Sequence, residues 1–188
     1  MENMSELKLE EVFHRPEQLE AEIVRFQNEY EKWVAIVGLY NHRPIEIFAG
    51  QAEDFWIPQY VEKGLILKIR PDGVSSRYDF QFKDRGGYTI TIEALSRSFN
   101  REFWNYAKMI SWILRYGMPL PFVVNILTKF HFETDSLNTW KNGVGRALKQ
   151  FIPDGTIDPK LDCPKCKEVG MVYMASCLVC KKCGYTSP

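Results

Sequence analysis

The first 162 residues of this chain contain no cysteine. That absence denies the bulk of the polypeptide a thiol nucleophile, a disulfide or a thiolate metal ligand, and confines sulfur chemistry to the tail. Histidine is scarce as well. His14, His42 and His131 are the only three; they lie far from one another and from the cysteines, and ordinary surface or hydrogen-bonded roles account for them. Neither sign of charge is in excess, since 24 Lys and Arg balance 24 Asp and Glu. Such neutrality argues against a protein whose main task is to wrap nucleic acid. No apolar run approaches the ~20 residues that a bilayer span requires, and the acidic, non-hydrophobic start has no signal-peptide pattern, so a soluble cytoplasmic chain is expected. Gly86-Gly87 lacks the surroundings of a GxGxxG or GxxxxGK phosphate cradle and reads as a turn. Asp79, Glu93 and Glu102 show no pairing that would suggest an acid and a base, and read as solvated charges.

What is present is concentrated at the end. Five cysteines appear as Cys163-Pro-Lys-Cys166, Cys177-Leu-Val-Cys180 and Cys183-Gly184. Two cysteines separated by two residues place both sulfurs on one side of a tight turn, and two such turns facing each other surround one ion tetrahedrally. Cys163 and Cys166 form the first turn. The second is either Cys177 with Cys180 or Cys180 with Cys183, and Gly184 favours the later pair, because a residue that tolerates positive φ lets backbone N–H groups turn toward sulfur. The expected zinc ligands are therefore Cys163, Cys166, Cys180 and Cys183, with Cys177 left over. A segment of this length buries too little apolar surface to stay ordered without a staple, and the metal would supply one. A redox dithiol competes for the same sulfurs, with Cys177 and Cys180 as its candidates.

The body reads as an α+β layer. Trp33 to Leu39 is apolar and β-branched, the turn set Asn41-His-Arg-Pro44 follows, and Ile45-Glu-Ile-Phe48 alternates strictly, which together predict a hairpin. Gly64–Ile69, Arg77–Phe82 and Tyr88–Glu93, separated by Pro71-Asp-Gly73 and Arg85-Gly-Gly87, extend it to a largely antiparallel sheet of about five strands. The opening segment from Glu17 to Phe26 fits either a helix begun by Pro16 or an extended strand. From Asn100 the period lengthens: Phe103, Ala107, Ile110 and Leu114 share one helical face until Gly117 and Pro119. Pro121 to Phe130 gives a second helix. Asp135-Ser136 caps a third, carrying Trp140, Val144, Ala147 and Leu148. Residues 1–151 thus form the body, 152–160 a linker and 161–188 a zinc ribbon. Residues 100–150 hold seven basic and three acidic side chains, a balance usual for helical surface.

Several stretches resemble, in order, the C-terminal part of the adenosylcobalamin-dependent (class II) ribonucleotide reductases. They are Arg15-Pro-Glu-Gln-Leu19 with Val24-Arg-Phe26, Lys32-Trp-Val-Ala-Ile-Val-Gly38, and Arg43-Pro-Ile-Glu-Ile-Phe-Ala-Gly50. Further along come Ser98-Phe-Asn-Arg-Glu-Phe-Trp-Asn-Tyr-Ala107, Arg115-Tyr-Gly-Met-Pro119, Asn138-Thr-Trp-Lys-Asn-Gly143 with Arg146-Ala-Leu-Lys149, and Ile152-Pro-Asp-Gly155. The cysteine pattern from Cys163 to Tyr185 resembles the tail with which many of these enzymes end. The resemblance implies an accessory C-terminal module, encoded separately or cut from a longer chain, with the methionine start favouring a separate chain. It also implies a ribonucleoside-diphosphate reductase in which the catalytic barrel and adenosylcobalamin belong to a partner chain. This chain is too short for the barrel and has no radical cysteine, so it is not expected to catalyse alone. Tail cysteines of the family carry electrons from thioredoxin or glutaredoxin to the active site. Many relatives have a further cysteine where this chain ends Thr186-Ser187-Pro188, which leaves Cys177 with Cys180 or Cys183 for that task. The alternative function is a zinc-ribbon binding module, for protein or for nucleic acid through Lys165, Lys167, Lys181 and Lys182.

Overall fold

The computed structural model of the chain describes residues 14–70, 76–97, 100–131, 139–158 and 160–187. Its first three strands are β1 (Gln18–Asn28), β2 (Glu31–Tyr40) and β3 (Arg43–Gln51). The near-continuous apolar run in β2 has a direct structural meaning, because a strand hydrophobic at both parities must be covered on both faces. Trp33, Ala35, Val37 and Leu39 enter one core and Val34 and Ile36 the other. β1 obeys the same rule, with Val24 and Phe26 on the first side and Leu19, Ala21 and Ile23 on the second. The opening segment is therefore a strand, making six in the sheet where about five were expected. It pairs with β2 from Glu20–Leu39 to Asn28–Glu31, and along its other edge with β4 (Lys63–Ile69).

The order is β3-β2-β1-β4-β5-β6, with β5 at Arg77–Lys83 and β6 at Thr89–Ile92, and every pair is antiparallel. Asn41 and His42 close the β2–β3 hairpin with φ of 48° and 62°, the left-handed pair that a two-residue hairpin turn demands. Near that turn the ladder slips. Gly38 faces Glu46 and Leu39 faces Pro44, so Ile45 is an extra residue, a β-bulge. Ile45 and Phe48 consequently share one core while Ile47 and Ala49 share the other, and Glu46 is 1% exposed. Strict alternation of Ile45 to Phe48 does not hold for that reason. The expected turn at Pro71-Asp-Gly73 lies outside the described residues.

Among the described residues three helices cover one face of the sheet: α1 (Arg101–Arg115), α2 (Leu120–Thr128) and α3 (Trp140–Lys149). Asn100 caps α1 by accepting from the Glu102 N–H at 2.9 Å. Ser111 ties that helix to the sheet edge, its Oγ accepting from the Ile47 N–H at 3.1 Å and donating to the Ala107 carbonyl at 2.7 Å. The cap of α3 is Thr139, whose hydroxyl accepts from the Asn142 N–H; Asp135-Ser136 lies outside the described residues. α3 sits hard on β1. A Cβ built on Gly143 would stand 1.9 Å from the Phe26 ring, so only hydrogen fits there.

The tail forms a second antiparallel sheet, β10-β9-β8-β7, from Ile157–Asp158 (β7), Met171–Met174 (β8), Cys177–Val179 (β9) and Thr186–Ser187 (β10). Its strands are short, but its apolar side is not free. Met171, Tyr173, Leu178, Cys163 and Cys180 belong to the same buried cluster as Leu120, Trp140 and Val144 of the helices. Ile152 and Asp158 are buried as well, and Gly155 N–H bonds the Tyr173 carbonyl at 2.8 Å while Tyr173 N–H bonds the Thr156 carbonyl at 2.9 Å. No helix among the described residues is long and apolar enough to cross a membrane.

Candidate metal centre

The tail contains two turns of matching construction. In the first, the Lys167 N–H donates to the Cys163 carbonyl and the Cys163 N–H to the Glu168 carbonyl, both at 2.9 Å. In the second, the Gly184 N–H donates to the Cys180 carbonyl at 2.9 Å and the Cys180 N–H to the Tyr185 carbonyl at 2.8 Å. The fifth residue of each turn is left-handed, Lys167 at φ 59° and Gly184 at 71°. Glycine meets that demand without strain; lysine meets it at a conformational cost. The reasoning that picked out Gly184 thus applies to both turns, although sequence marks only one of them.

The turns face each other. The sulfurs of Cys163, Cys166, Cys180 and Cys183 all lie within 4.8 Å of one another, with Cys163–Cys183 at 3.6 Å and Cys166–Cys180 at 3.5 Å. Four thiolates bonded at ~2.3 Å to a tetrahedral ion would stand ~3.8 Å apart. The donor set and its spacing therefore suit a metal ion and are compatible with zinc. None of the five cysteines is in a disulfide. Cys177 stands apart from the group, facing Met174 across the β8–β9 hairpin, whose turn residues Ala175 and Ser176 have φ of 48° and 64°.

Electrostatics give the same account. For Cys163, burial pushes the thiol up, but N–H groups of Cys166 and Lys165 and the thiols of Cys183 and Cys166 outweigh it and bring it down to about 6. For Cys166 the N–H of Glu168 pulls down, yet burial and the surrounding sulfurs of Cys183, Cys180 and Cys163 push it up to about 12. One negative charge is tolerated among these sulfurs and further ones repel, which is the situation a divalent cation resolves. Tyr173, in the same buried cluster as Cys163 and Cys180, is 1% exposed. Burial first, then the Asp158 carboxylate, push its hydroxyl up to about 12, so the ring stays neutral at physiological pH. On the outer side Lys182 bonds Glu168 at 2.7 Å and joins the two turns across solvent.

The remaining residues singled out by sequence are not brought to the sulfurs. His42 is in the β2–β3 turn, and no histidine joins a potential metal-binding group among the described residues. Asp79 is a correction. It is 2% exposed, pairs with Arg77 at 2.9 Å and accepts from the Ala94 N–H at 2.8 Å, so it is a buried structural anion and not a solvated charge. Arg77 also reaches Glu93 at 3.5 Å, and Glu102 accepts from the Tyr106 hydroxyl. Sequence reasoning missed a buried ionic group altogether. Both carboxylate oxygens of Glu46 bind the Arg15 guanidinium at 2.9 Å, and Arg115 bonds Oε2 as well. These residues come from three parts of the chain, and nothing local to any of them announces the meeting.

Fold and site together define an α+β domain of six antiparallel strands and three helices that carries a four-cysteine cluster able to hold a metal ion. More particularly, the chain belongs to the family of the NrdJ homologue C-terminal domain, whose model matches residues 19–153. It is thus a C-terminal region related to the class II ribonucleotide reductases, as the ordered phrases in the sequence implied. The match spans the body and ends before Cys163. No curated protein and no solved structure matches the chain.

Proposed function

We propose that this chain is an accessory C-terminal subunit or domain of a cobalamin-dependent ribonucleotide reductase, docking on a separate catalytic barrel that binds adenosylcobalamin. The observation that carries the reading is the family match over residues 19–153. The concentration of thiols in the tail supports it, since the body has no cysteine to serve as a radical site. Residues 161–188 act as a zinc ribbon in this reading, with Cys163, Cys166, Cys180 and Cys183 as ligands and residues 152–160 as the connection to the body. Mixing the chain with a class II barrel that lacks its own cysteine tail tests the role. Complex formation and faster deoxynucleotide production are expected; no complex and unchanged turnover would count against it.

A relay of electrons from thioredoxin or glutaredoxin through Cys177 and Cys180 is the finer proposal. Three steps of extended chain, from Cys177 through Leu178 and Val179 to Cys180, put these cysteines about 10 Å apart, beyond the ~7 Å that a disulfide can bridge between Cα atoms. Cys180 is also committed to the sulfur cluster. Relay therefore requires the metal to leave and β9 to open, which makes the ribbon's first duty structural and any redox duty conditional on metal loss. Reductant-dependent turnover of the complex that survives Cys177→Ser would remove the relay.

A further inference from the structure

A cavity of about 520 Å³ opens between α1 and strands β3 to β5. We propose that it binds a small phosphorylated nucleotide, with cations taking the phosphates and aromatic rings the base. The volume falls in the range of small-molecule sites, roughly 300–1,000 Å³.

Charge is the first argument. Arg15, Lys68, Arg70, Lys108 and Arg115 line the cavity, and Glu46 is the one carboxylate among the described residues of its wall. Glu46 is already engaged by two of those cations, Arg15 and Arg115, so most of the positive charge in the wall has no counterpart there. Lys68 registers the excess. Burial lowers its proton affinity first, and Arg70, Arg15 and Arg115 lower it further against the single opposing pull of Glu46. The Nε–H of Arg115 is buried and has no hydrogen-bond partner among the described residues, although a buried donor is normally satisfied. A polyanion in the cavity relieves the repulsion and can supply acceptors.

Preorganisation is the second argument. The Arg15 side chain is 3% exposed and that of Glu46 1%. Arg15 lies over the Tyr78 ring at 5.4 Å, and Lys68 approaches the same ring at 6.0 Å. Cations fixed in this way lose little freedom when a ligand arrives. Arg70 and Lys108 are exposed and add charge to the wall without that property.

The aromatic rings specify the rest. Trp112 and Tyr116 stack at 5.9 Å and 20° at the rim of the cavity and remain 54% and 56% exposed. Trp104 and Tyr78 contribute to the wall farther along α1 and on β5. Exposed flat rings beside a phosphate-sized cluster of cations offer a base its stacking surface. A concavity of this volume in a chain of zero formal charge suits one nucleotide better than a continuous strand of nucleic acid.

The test is made on the full-length, metal-loaded chain by calorimetry and tryptophan fluorescence, with ATP, inorganic tripolyphosphate and a short oligothymidylate as probes. ATP should bind saturably and quench tryptophan emission. Lys68→Ala and Arg70→Glu should each weaken binding about tenfold or more. Trp112→Ala should weaken ATP while leaving tripolyphosphate unchanged. Thermal melting of each variant confirms that it is folded, and Arg70, being exposed, provides the variant least able to disturb folding. No saturable ATP binding, or ATP affinity unchanged in both cation variants, would overturn the site. Tripolyphosphate binding as tightly as ATP would overturn the aromatic half and with it the nucleotide. Oligothymidylate displacing ATP from the same site with higher affinity would overturn the small ligand. The proposal stands apart from the accessory role, because binding is read on this chain alone and docking on a mixture.

Discussion

The two sheets of this molecule share an antiparallel design and differ in what holds them. β1 and β2 pair from Glu20–Leu39 to Asn28–Glu31 and bury apolar side chains on both faces. In the tail, β8 and β9 pair only from Val172–Val179 to Met174–Cys177, and β7 and β10 are two residues each. Strands that short build no core of their own, and the apolar side chains the ribbon buries, Met171, Tyr173 and Leu178, lie in the cluster it shares with the helices. The contrast shows where chain length alone sustains order and where a cross-link must replace it: the body is a product of burial, and the ribbon of four sulfurs placed around one point.

Metal removal should break this contrast most visibly. Chelation, or Cys163→Ser or Cys183→Ser, is expected to release about one zinc ion per chain and to withdraw roughly 10 kcal/mol of apparent binding free energy from the ribbon. Hydrogen exchange should then accelerate across 161–187 while β1 to β3 stay protected. Simultaneous loss of protection in β2 would show that the shared cluster of Tyr173, Leu178 and Trp140 makes one cooperative unit instead of two.

Acid should act in the same direction more gradually. Cys163 has a folded value of about 6, below that of a free thiol. Its thiolate therefore stabilises the folded ribbon above the free-thiol range, and that contribution is lost as pH falls through about 6. Because protons also compete with the ion for four thiolates, zinc release followed with a chromogenic chelator should grow as pH falls, and release independent of pH would contradict it.

The body should respond to packing and not to metal. Trp140→Ala empties a site 1% exposed and stacked on Phe103 at 5.4 Å, so a loss of about 3–5 kcal/mol is expected in denaturant titration. Gly143→Ala forces a methyl into the Phe26 ring and should cost about 1–3 kcal/mol, measured in the same way. At the small end, Cys177→Ser should leave metal content and melting unchanged, since its sulfur stands outside the cluster. Loss of zinc in that variant would show that the second turn uses a different pair.

Those features of fold and site that are decided within a few residues are legible in the amino-acid sequence. The hairpin at Asn41-His42, the course of α1 from Asn100 to Gly117 and the pairing of cysteine turns all follow from such local rules. The opening strand is ambiguous in sequence because Leu19, Ile23 and Phe26 fit a helical face while both parities of β1 are apolar, and only pairing with β2 and β4 decides between them. The burial of Glu46 is set by the tertiary approach of Arg15 and Arg115, and that of Asp79 by the Ala94 N–H, while its local partner Arg77 reads in sequence as an ordinary surface pair. Pro153 and Gly155 announce an end to regular structure; they carry no information on packing, and Ile152 and Asp158 beside them are buried.

The extra residue at Ile45 lets one edge strand place two consecutive side chains, Ile45 and Glu46, on the same face. Deleting it would leave Pro44 opposite Leu39 and Glu46 opposite Gly38 in an uninterrupted ladder, with no change of face on either side. The carboxylate that clasps two guanidiniums, and Ile47 and Phe48 after it, would keep their sides, and the loss would be one buried isoleucine and the local bend of the strand. A residue removed anywhere else in β3 would instead turn over every side chain beyond it, so β3 tolerates shortening at one position only.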